Sequence, residues 1–384
     1  MNENRIYLDN AATTPLDPSV IEAMVLIMKD HYGNPSSTHG HGRKAKNIIE
    51  ECRSQIAKWL HCKASEIFFT SGGTEADNLA LRGAALNLEI DAIISSPIEH
   101  HAVTHTVEEI SAQKGIPLHW VRVHSNGHID EQHLEELLKQ CKKPLVSLMH
   151  ANNEIGNMIE LDSIGALIHQ YNGIFHCDTV QTMGHFPFDL SRDHVDFLCA
   201  AAHKFNGPKG VGFLYVNKKI RIPAEITGGS QERELRGGTE NVYGIVGMTK
   251  ALEISYAHLE EKKETIHALK NQMMQLLSER IPGIEFNGDP TGNCLYTVLS
   301  VSFPPSDAGS MLLFNLDIAG ISASGGSACS SGSVGGSHVI QNIRPNSNRT
   351  TVRFSFGKFN TAAEIETTVE KLTQWYGENS SMSV

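Results

Sequence analysis

The feature that most constrains the fold is a rhythm of short apolar runs separated by helical stretches. Runs of this length suit strands, and their nearly continuous apolar character is typical of strands buried on both faces of a sheet. Helical stretches such as Glu131–Gln140 and Ser163–Tyr171 separate most of the runs. The predicted strands are Glu66–Thr70, Asp91–Ser95, Leu118–Val123, Leu145–His150, Ile174–Cys177, Phe197–Ala202 and Val211–Val216.

This alternation predicts an α/β fold whose large domain, residues 15–255, holds a mostly parallel seven-stranded sheet covered by helices. A long helix, about Thr249–Arg280, is predicted to lead into a smaller α+β domain. We assign residues 1–14 and 256–384 to that domain. Its predicted elements are strands Thr297–Phe303 and Thr351–Phe356, helices near Ala308–Asp317 and Ala362–Trp375, and a Gly/Ser-rich loop at about 322–337.

The bulk properties argue against several classes of protein. A net charge of -11 over 384 residues argues against a nucleic-acid-binding surface. The apolar stretches are too short to span a membrane, and the residues after Met1 lack the apolar core of a signal peptide. We therefore expect no membrane association and a cytoplasmic location. The 7 cysteines include no CxxC pair, so neither a disulfide framework nor a metal site is expected.

The strongest indication of chemistry is Lys204, which follows a predicted buried strand and precedes the glycine-rich segment 206–212. Asp178 comes at the end of the strand before it. A lysine that forms a Schiff base and an aspartate that pairs with a pyridinium nitrogen are what pyridoxal phosphate needs from a protein. Gln181 follows closely enough to hydrogen-bond the ring hydroxyl. The alternative for Asp178, a cap for the next helix, stays open.

Two other strand ends suit the same cofactor. Gly73 and Thr74 lie between a predicted strand and a helix, where free N–H groups at the helix start attract a phosphate. An ordinary glycine-rich turn is the alternative. His100 follows another predicted strand and suits ring stacking or proton transfer, with a purely structural role equally open.

Two residues near the C-terminal end of the chain also stand out. Cys329 lies in a Gly/Ser-rich segment without apolar periodicity, which predicts an exposed thiol with a reactive role. A harmless surface thiol is the alternative. Arg353 lies on a predicted strand of alternating polarity, and its guanidinium suits the carboxylate of an amino-acid substrate, although arginines are common on exposed strands.

Taken in order, these segments resemble the cysteine desulfurases of the NifS/IscS-like branch of the class V family of pyridoxal-phosphate aminotransferases. The Gly/Ser loop around Cys329 is similar in length to that branch rather than to the SufS branch, whose loop is shorter. The matching segments run nearly from end to end. They are YLDNAATT (7–14), GNPSSTH (33–39), TSGGTE (70–75), EH (99–100), MHANNEIG (149–156), DTVQ (178–181), HK (203–204), RGGTEN (236–241), SAC (327–329) and RFS (353–355).

The resemblance implies the type I fold of pyridoxal-phosphate-dependent transferases and a role for most of these residues around the cofactor. Lys204 would carry the cofactor, Asp178 would pair with its pyridine nitrogen, and His100 would stack on its ring. Gln181 would bond the ring hydroxyl, with Asn153 close by.

The remaining implied roles concern phosphate, substrate and sulfur. Thr74 and His203 would hold the phosphate next to Gly73, with Thr239 reaching in from the other subunit of a homodimer. Arg353, helped by Asn153, would bind the carboxylate of L-cysteine. Cys329 would take the sulfur as a persulfide, leaving L-alanine, and pass it to an acceptor protein such as an iron–sulfur scaffold.

One departure from the family pattern concerns the phosphate. The family has a serine or threonine where this chain has Ala201, so one phosphate contact is expected to be missing. Three alternatives to a desulfurase stay open: a selenocysteine lyase, another class V lyase or aminotransferase, and a sulfur-relay protein without catalysis. If the product still forms after the Cys329 thiol is removed, the chain is a lyase rather than a desulfurase.

Overall fold

The computed structural model describes residues 5–306, 309–326 and 336–377, so Cys329 and most of the predicted Gly/Ser-rich loop lie outside the described residues. The strands are β1 Ile6–Tyr7, β2 Ile67–Thr70, β3 Ala92–Ser95, β4 Leu118–Trp120, β5 Pro144–Ser147, β6 Ile174–Asp178, β7 Phe197–Ala201, β8 Gly212–Val216, β9 Glu285–Phe286, β10 Val298–Phe303, β11 Ile321–Ser322 and β12 Thr350–Ser355. The helices are α1 Pro18–Asp30, α2 Gly40–Trp59, α3 Gly73–Asn87, α4 His101–Lys114, α5 Glu131–Leu138, α6 Leu161–Gln170, α7 Val242–Ala257, α8 Leu259–Arg280, α9 Leu312–Ile318, α10 His338–Ile343 and α11 Ala362–Gly377.

Within the described residues, a sheet of 7 strands is ordered β2-β8-β7-β6-β5-β3-β4. The strand β8 runs antiparallel to both of its neighbours, β2 and β7. The remaining pairs are parallel. The predicted α/β fold with a mostly parallel seven-stranded sheet is therefore confirmed.

Helices cover both faces of this sheet, as the sequence of β7 illustrates. Leu198 and Ala200 pack into one apolar cluster, whereas Phe197 and Cys199 pack into another on the opposite face. Successive side chains of a strand point to opposite faces, so a strand covered on both sides needs an unbroken apolar run. This explains why the central strands read as continuous apolar segments.

A second sheet in the described chain has three strands in the order β12-β10-β9, all antiparallel. Its apolar cluster includes Leu299 and Phe354, together with Leu269 of α8 and Leu372 of α11. Leu8, from near the start of the chain, belongs to the same cluster. The division into domains at residues 14 and 255 stays a prediction.

The predicted long helix Thr249–Arg280 is wrong in one respect, because the chain breaks it at His258. This residue has φ -120° and ψ 29°, and it separates α7 from α8. Leu252 on α7 packs into a cluster of the large sheet, whereas Ile266 on α8 packs with the three-stranded sheet. We attribute the break to this change of packing partner. None of the helices in the described part of the chain is long and apolar enough to cross a membrane.

Candidate active site

A cavity of about 200 Å³ lies at the edge of the large sheet where β6 and β7 end. The carboxyl ends of the strands are where open α/β sheets bind their ligands. The lining residues come from these strand ends, from the start of α3, from the segment after β1 and from β12. They are Ala11, Ala12, Gly73, Thr74, Asp77, His100, Met149, Ala151, Asn153, Asp178, Val180, Gln181, Ala201, His203, Lys204 and Arg353.

Lys204 reaches the cavity from a short turn of 3-10 helix that directly follows β7. Its Nζ donates hydrogen bonds to the carbonyl oxygens of Ala11, at 2.5 Å, and Ala12, at 2.9 Å. The amide of Gln181 donates to the same Ala11 oxygen at 3.1 Å. The segment after β1 therefore orients the lysine, and its amine lies inside the cavity.

Asp178 is the last residue of β6 and is buried at the cavity wall. Its Oδ1 accepts a hydrogen bond from the Val180 N–H at 2.8 Å. Burial raises the pKa of this carboxyl well above its usual range, the negative charge of Asp77 adds to the rise, and Lys204 opposes it. A carboxyl in this setting is ionised most readily when a cation sits beside it in the cavity.

His100 lies at the N-cap of α4 and presents its ring to the cavity. Its Nδ1 accepts a hydrogen bond from the Ala102 N–H at 3.1 Å, which assigns the proton of the neutral ring to Nε2. Burial lowers the pKa of His100. The negative charge of Asp77 raises this pKa, and the positive charge of Lys204 lowers it further. The imidazole is therefore neutral at pH 7, with its Nε2–H left for a ligand.

The start of α3 lines one part of the cavity. A Cβ on Gly73 would lie 2.5 Å from Val180 Cγ2, so only glycine fits this close approach of helix and strand end. Thr74 is exposed on the first turn, where helix N–H groups lack partners within the helix. His203 lies nearby with Nδ1 3.2 Å from Thr13 Oγ1, and burial, Lys204 and Lys209 lower its pKa to about 4.

Arg353 enters the cavity from β12 and is only 1% exposed. One terminal nitrogen donates to the Asn153 carbonyl oxygen at 2.8 Å, and the other pairs with Asp9 Oδ1 at 2.9 Å. The buried Nε finds no hydrogen-bond partner among the described residues. The guanidinium is thus held from two sides and keeps donor capacity for an anion in the cavity.

Two of the predicted site residues are not placed in this cavity. Thr239 is exposed and does not line it, and Cys329 lies outside the described residues. Their roles stay predictions. Ala201, the last residue of β7, lines the cavity wall next to Gly73, where its methyl group offers no hydrogen bond.

Sequence reasoning missed three contributors to the site. Asp9 and the Ala11 carbonyl lie in the segment YLDNAATT, whose match to the family drew attention to the segment but not to these atoms. Asp77 lies within α3 and is 1% exposed, and a charged residue on the apolar face of that helix was the available signal. Of the described residues, Asp77, His176 and Cys199 form one group whose ligand atoms lie close enough to hold a metal ion, which the sequence did not indicate.

The chain is similar in sequence and in fold to several known proteins. The family model of class-V aminotransferases matches residues 6–368. A putative cysteine desulfurase IscS 1 from Bacillus subtilis is 42% identical over 368 residues, which cover 94% of this chain and 96% of the relative. A solved NifS-like protein superposes with a TM-score of 0.89 at 36% identity, covering 98% of this chain and all of that one (100%). The solved structure of SspA in complex with cysteine has a TM-score of 0.81 at 30% identity, covering 93% of this chain and 100% of that one.

Proposed function

The chain belongs to the class-V aminotransferase family and, within it, is an enzyme of the cysteine desulfurase type, and we propose that Lys204 and Cys329 carry its reaction. The substrate is L-cysteine, the sulfur passes to the Cys329 thiol as a persulfide, and L-alanine is released. The persulfide sulfur then goes to acceptors in iron–sulfur cluster, thio-cofactor or tRNA biosynthesis.

One observation supports this proposal above the others. The amine of Lys204, the buried carboxyl of Asp178 and the guanidinium of Arg353 line a single cavity, although they come from different strands and turns. An amine, an acid and a carboxylate-binding arginine together suit an amino-acid substrate and a cofactor with a pyridine ring.

The residues present fit pyridoxal phosphate. Lys204 would hold it covalently, Asp178 would face its pyridine nitrogen, and His100 would contact its ring, with Gln181 and Asn153 at its edge. The close approach at Gly73 leaves the start of α3, with Thr74 and His203, free to receive the phosphate. When bound, the cofactor supplies an electron sink for the bonds at Cα of the substrate.

The chain itself supplies binding and proton transfer. Arg353 binds the substrate carboxylate and fixes the position of Cα. The amine of Lys204 would take the proton from Cα of the substrate. Nε2 of the neutral His100 imidazole carries a proton that it can give to the substrate. The Cys329 thiolate attacks the substrate sulfur, the bond from that sulfur to Cβ breaks, and its electron pair stays on the carbon side, where protonation gives the methyl group of L-alanine.

The proposed active unit is a homodimer in the cytoplasm. Thr239 is exposed and lies away from the cavity of its own chain, so we place it against the phosphate of the other subunit. No residue of the motif RGGTEN lines the cavity of its own chain, and this arrangement would give its Thr239 a role.

The deciding experiment measures alanine and sulfide released from L-cysteine, with a thiol reductant, by the wild-type protein and by Cys329→Ala. We expect sulfide release to be lost in the variant while the visible band of the cofactor still responds to L-cysteine. Cys141→Ala is the matched control, since this half-buried thiol on a distant turn donates to the Leu137 carbonyl and faces no part of the cavity. Equal turnover by the wild-type protein and Cys329→Ala would refute the proposal and move the chain to the lyases.

A further inference from the structure

A second cavity of about 200 Å³ adjoins the active-site cavity, and Met149 lines both. Its walls come from the residues that follow β3 and β5, from the turn before α5 and from the segment that leads into α6. The apolar part of the wall consists of Ile98, Ile129, Leu148, Met149, Met158 and Ile159. The cavity therefore offers a small molecule both room and apolar contact.

Glu99 is the buried acid in this lining and is only 1% exposed. Its Oε1 accepts a hydrogen bond from the Met149 N–H at 3.0 Å. Its Oε2 is buried and finds no hydrogen-bond partner among the described residues. Because a buried oxygen without a partner is costly, such an atom in a cavity wall indicates that a hydrogen-bond donor binds there.

The protein already uses the amide and imidazole donors of the lining. The side-chain amide nitrogens of Asn152, Asn157 and Asn293 each donate a hydrogen bond to an oxygen of the chain. Nε2 of His128 lies 3.0 Å from the Asp289 carboxylate. The group left without a partner is therefore an acceptor, and the ligand that it suits is a donor.

The charge of the lining narrows the class of donor. Glu131 and Glu160 add exposed carboxylates to Glu99, and the described lining contains neither lysine nor arginine. This favours a cation over an anion. A metal ion does not suit the site, because the oxygens of these three carboxylates do not all lie within 4.8 Å of one another.

We propose that this cavity binds a small aliphatic amine, whose ammonium group meets the carboxylate of Glu99 while its methylene groups pack on the apolar wall. The ligand carries no carboxylate of its own, since the described lining offers no cation to pair with one. The inference is independent of the proposed function, because it needs neither the cofactor nor L-cysteine.

Protonation of Glu99 provides a signature of this contact. Burial raises the pKa of Glu99 well above its usual range, and the charges of Asp178 and Asp77 raise it further against the Met149 N–H. Without a cation beside it, the carboxyl is protonated at pH 7, so an arriving ammonium ion sends that proton to the buffer. The other charged groups of the lining and its surroundings are Glu131, Glu160, His128 and Asp289.

The test is calorimetric titration with n-butylamine of protein treated with borohydride, which leaves no aldehyde to form an imine. We expect one equivalent to bind with a Kd at or below about 1 mM, at least about tenfold more tightly than 1-butanol. The measured heat should depend on the ionisation enthalpy of the buffer as expected for the release of about one proton per amine.

Glu99→Gln is close in shape to the protonated acid and keeps an acceptor for the Met149 N–H. We expect it to bind n-butylamine at least about tenfold more weakly, because a charge-assisted hydrogen bond is lost. Glu154→Gln is the matched control. Glu154 is also 1% exposed and has an oxygen without a partner among the described residues, but it lines neither cavity, so its variant should bind like the wild-type protein.

Wild-type protein that binds n-butylamine no more tightly than 1-butanol would overturn the inference, as would unchanged affinity in a folded Glu99→Gln. If Glu99→Gln does not fold, the proton count decides, because binding without proton release would place the ammonium group away from Glu99. Each of these results leaves the proposed function standing, since that function is tested separately by sulfide release from L-cysteine.

Discussion

The carboxylate of Asp9 lies 2.9 Å from the guanidinium of Arg353, so the arginine proposed to receive the substrate is already paired with an anion. Asp9 follows β1, whereas Arg353 lies on β12, and the two segments meet in an isolated bridge between Asp9 and Ser355. This ion pair fixes the orientation of the Arg353 guanidinium, whose other terminal nitrogen donates a hydrogen bond to the Asn153 carbonyl oxygen. The substrate carboxylate would therefore meet a guanidinium that is already oriented.

Arg353→Lys is expected to raise KM for L-cysteine by about ten- to a hundredfold, because an ammonium cannot bind Asp9, the Asn153 carbonyl and a carboxylate in a fixed plane. Steady-state kinetics of alanine formation measure the effect, and the cofactor band should not change. Arg349→Lys is the control, since Arg349 bonds the Ser302 carbonyl and lies outside the cavity. An unchanged KM in Arg353→Lys would place the substrate carboxylate elsewhere.

Ala201→Thr is expected to tighten the binding of pyridoxal phosphate about ten- to a hundredfold, because a hydroxyl at this position supplies a hydrogen bond to a charged group worth about 1.5–3 kcal/mol. Titration of the apoprotein gives the dissociation constant. Ala201→Val has nearly the same shape without the hydroxyl and serves as the control. If both variants bind alike, the missing hydroxyl is not what limits cofactor affinity.

Arg53→Met is expected to reduce the free energy of unfolding by about 3–5 kcal/mol, because it leaves the buried charge of Glu232 without its positively charged partner, with the Phe69 N–H still donating to it. The two side chains form a double hydrogen bond of 2.7 and 2.8 Å, and both are almost fully buried. The pair also holds Glu232 at φ 44°, a left-handed conformation that is costly outside glycine. Denaturant unfolding measures the loss.

Arg53→Met/Glu232→Leu should recover part of that stability, because apolar residues of similar volume replace a buried ion pair at little cost. Arg82→Met is the control, since its partner Glu109 is half exposed and the expected loss is below about 1 kcal/mol. Equal losses in Arg53→Met and Arg82→Met would contradict the prediction.

The stability of the apoprotein is expected to fall as the pH drops from about 6.5 to about 4. Burial lowers the pKa of His150 to about 4, so the folded state keeps this ring neutral while the unfolded state takes up a proton. The unfolded state therefore binds more protons within this window and gains stability relative to the folded state. Below this pH window, His150 is protonated in both the folded and the unfolded state, so its contribution to the stability no longer changes with pH.

Melting temperatures measured from pH 7.5 to 4.5 test this prediction. His150→Gln should lose less stability over the window than the wild-type protein, by an amount on the order of 1–3 kcal/mol. His258→Gln, at a largely exposed histidine, should follow the wild-type curve. Parallel curves for all three proteins would show that His150 does not contribute.

The sequence predicted most elements of the large sheet because their patterns are local. The predicted strand Ile174–Cys177 became β6, Ile174–Asp178, and the predicted strand Val211–Val216 became β8, Gly212–Val216. The pattern failed at His258, where helical periodicity continues in the sequence but the packing partner changes from one apolar cluster to another. This change depends on how the helix packs against two separate apolar clusters, so the sequence of a few helical turns does not reveal it.

By itself, the sequence determined that Asp178 ends one buried strand and that Lys204 follows the next, and parallel strands bring their carboxyl ends to one edge of a sheet. Only the tertiary structure decided what surrounds these two residues. Three contacts join groups that are far apart in the chain. Arg353 pairs with Asp9, Lys204 donates a hydrogen bond to the Ala11 carbonyl oxygen, and Asp77 lies beside His176. Local patterns set the length and direction of each element, whereas such contacts depend on how whole elements pack, which no single segment encodes.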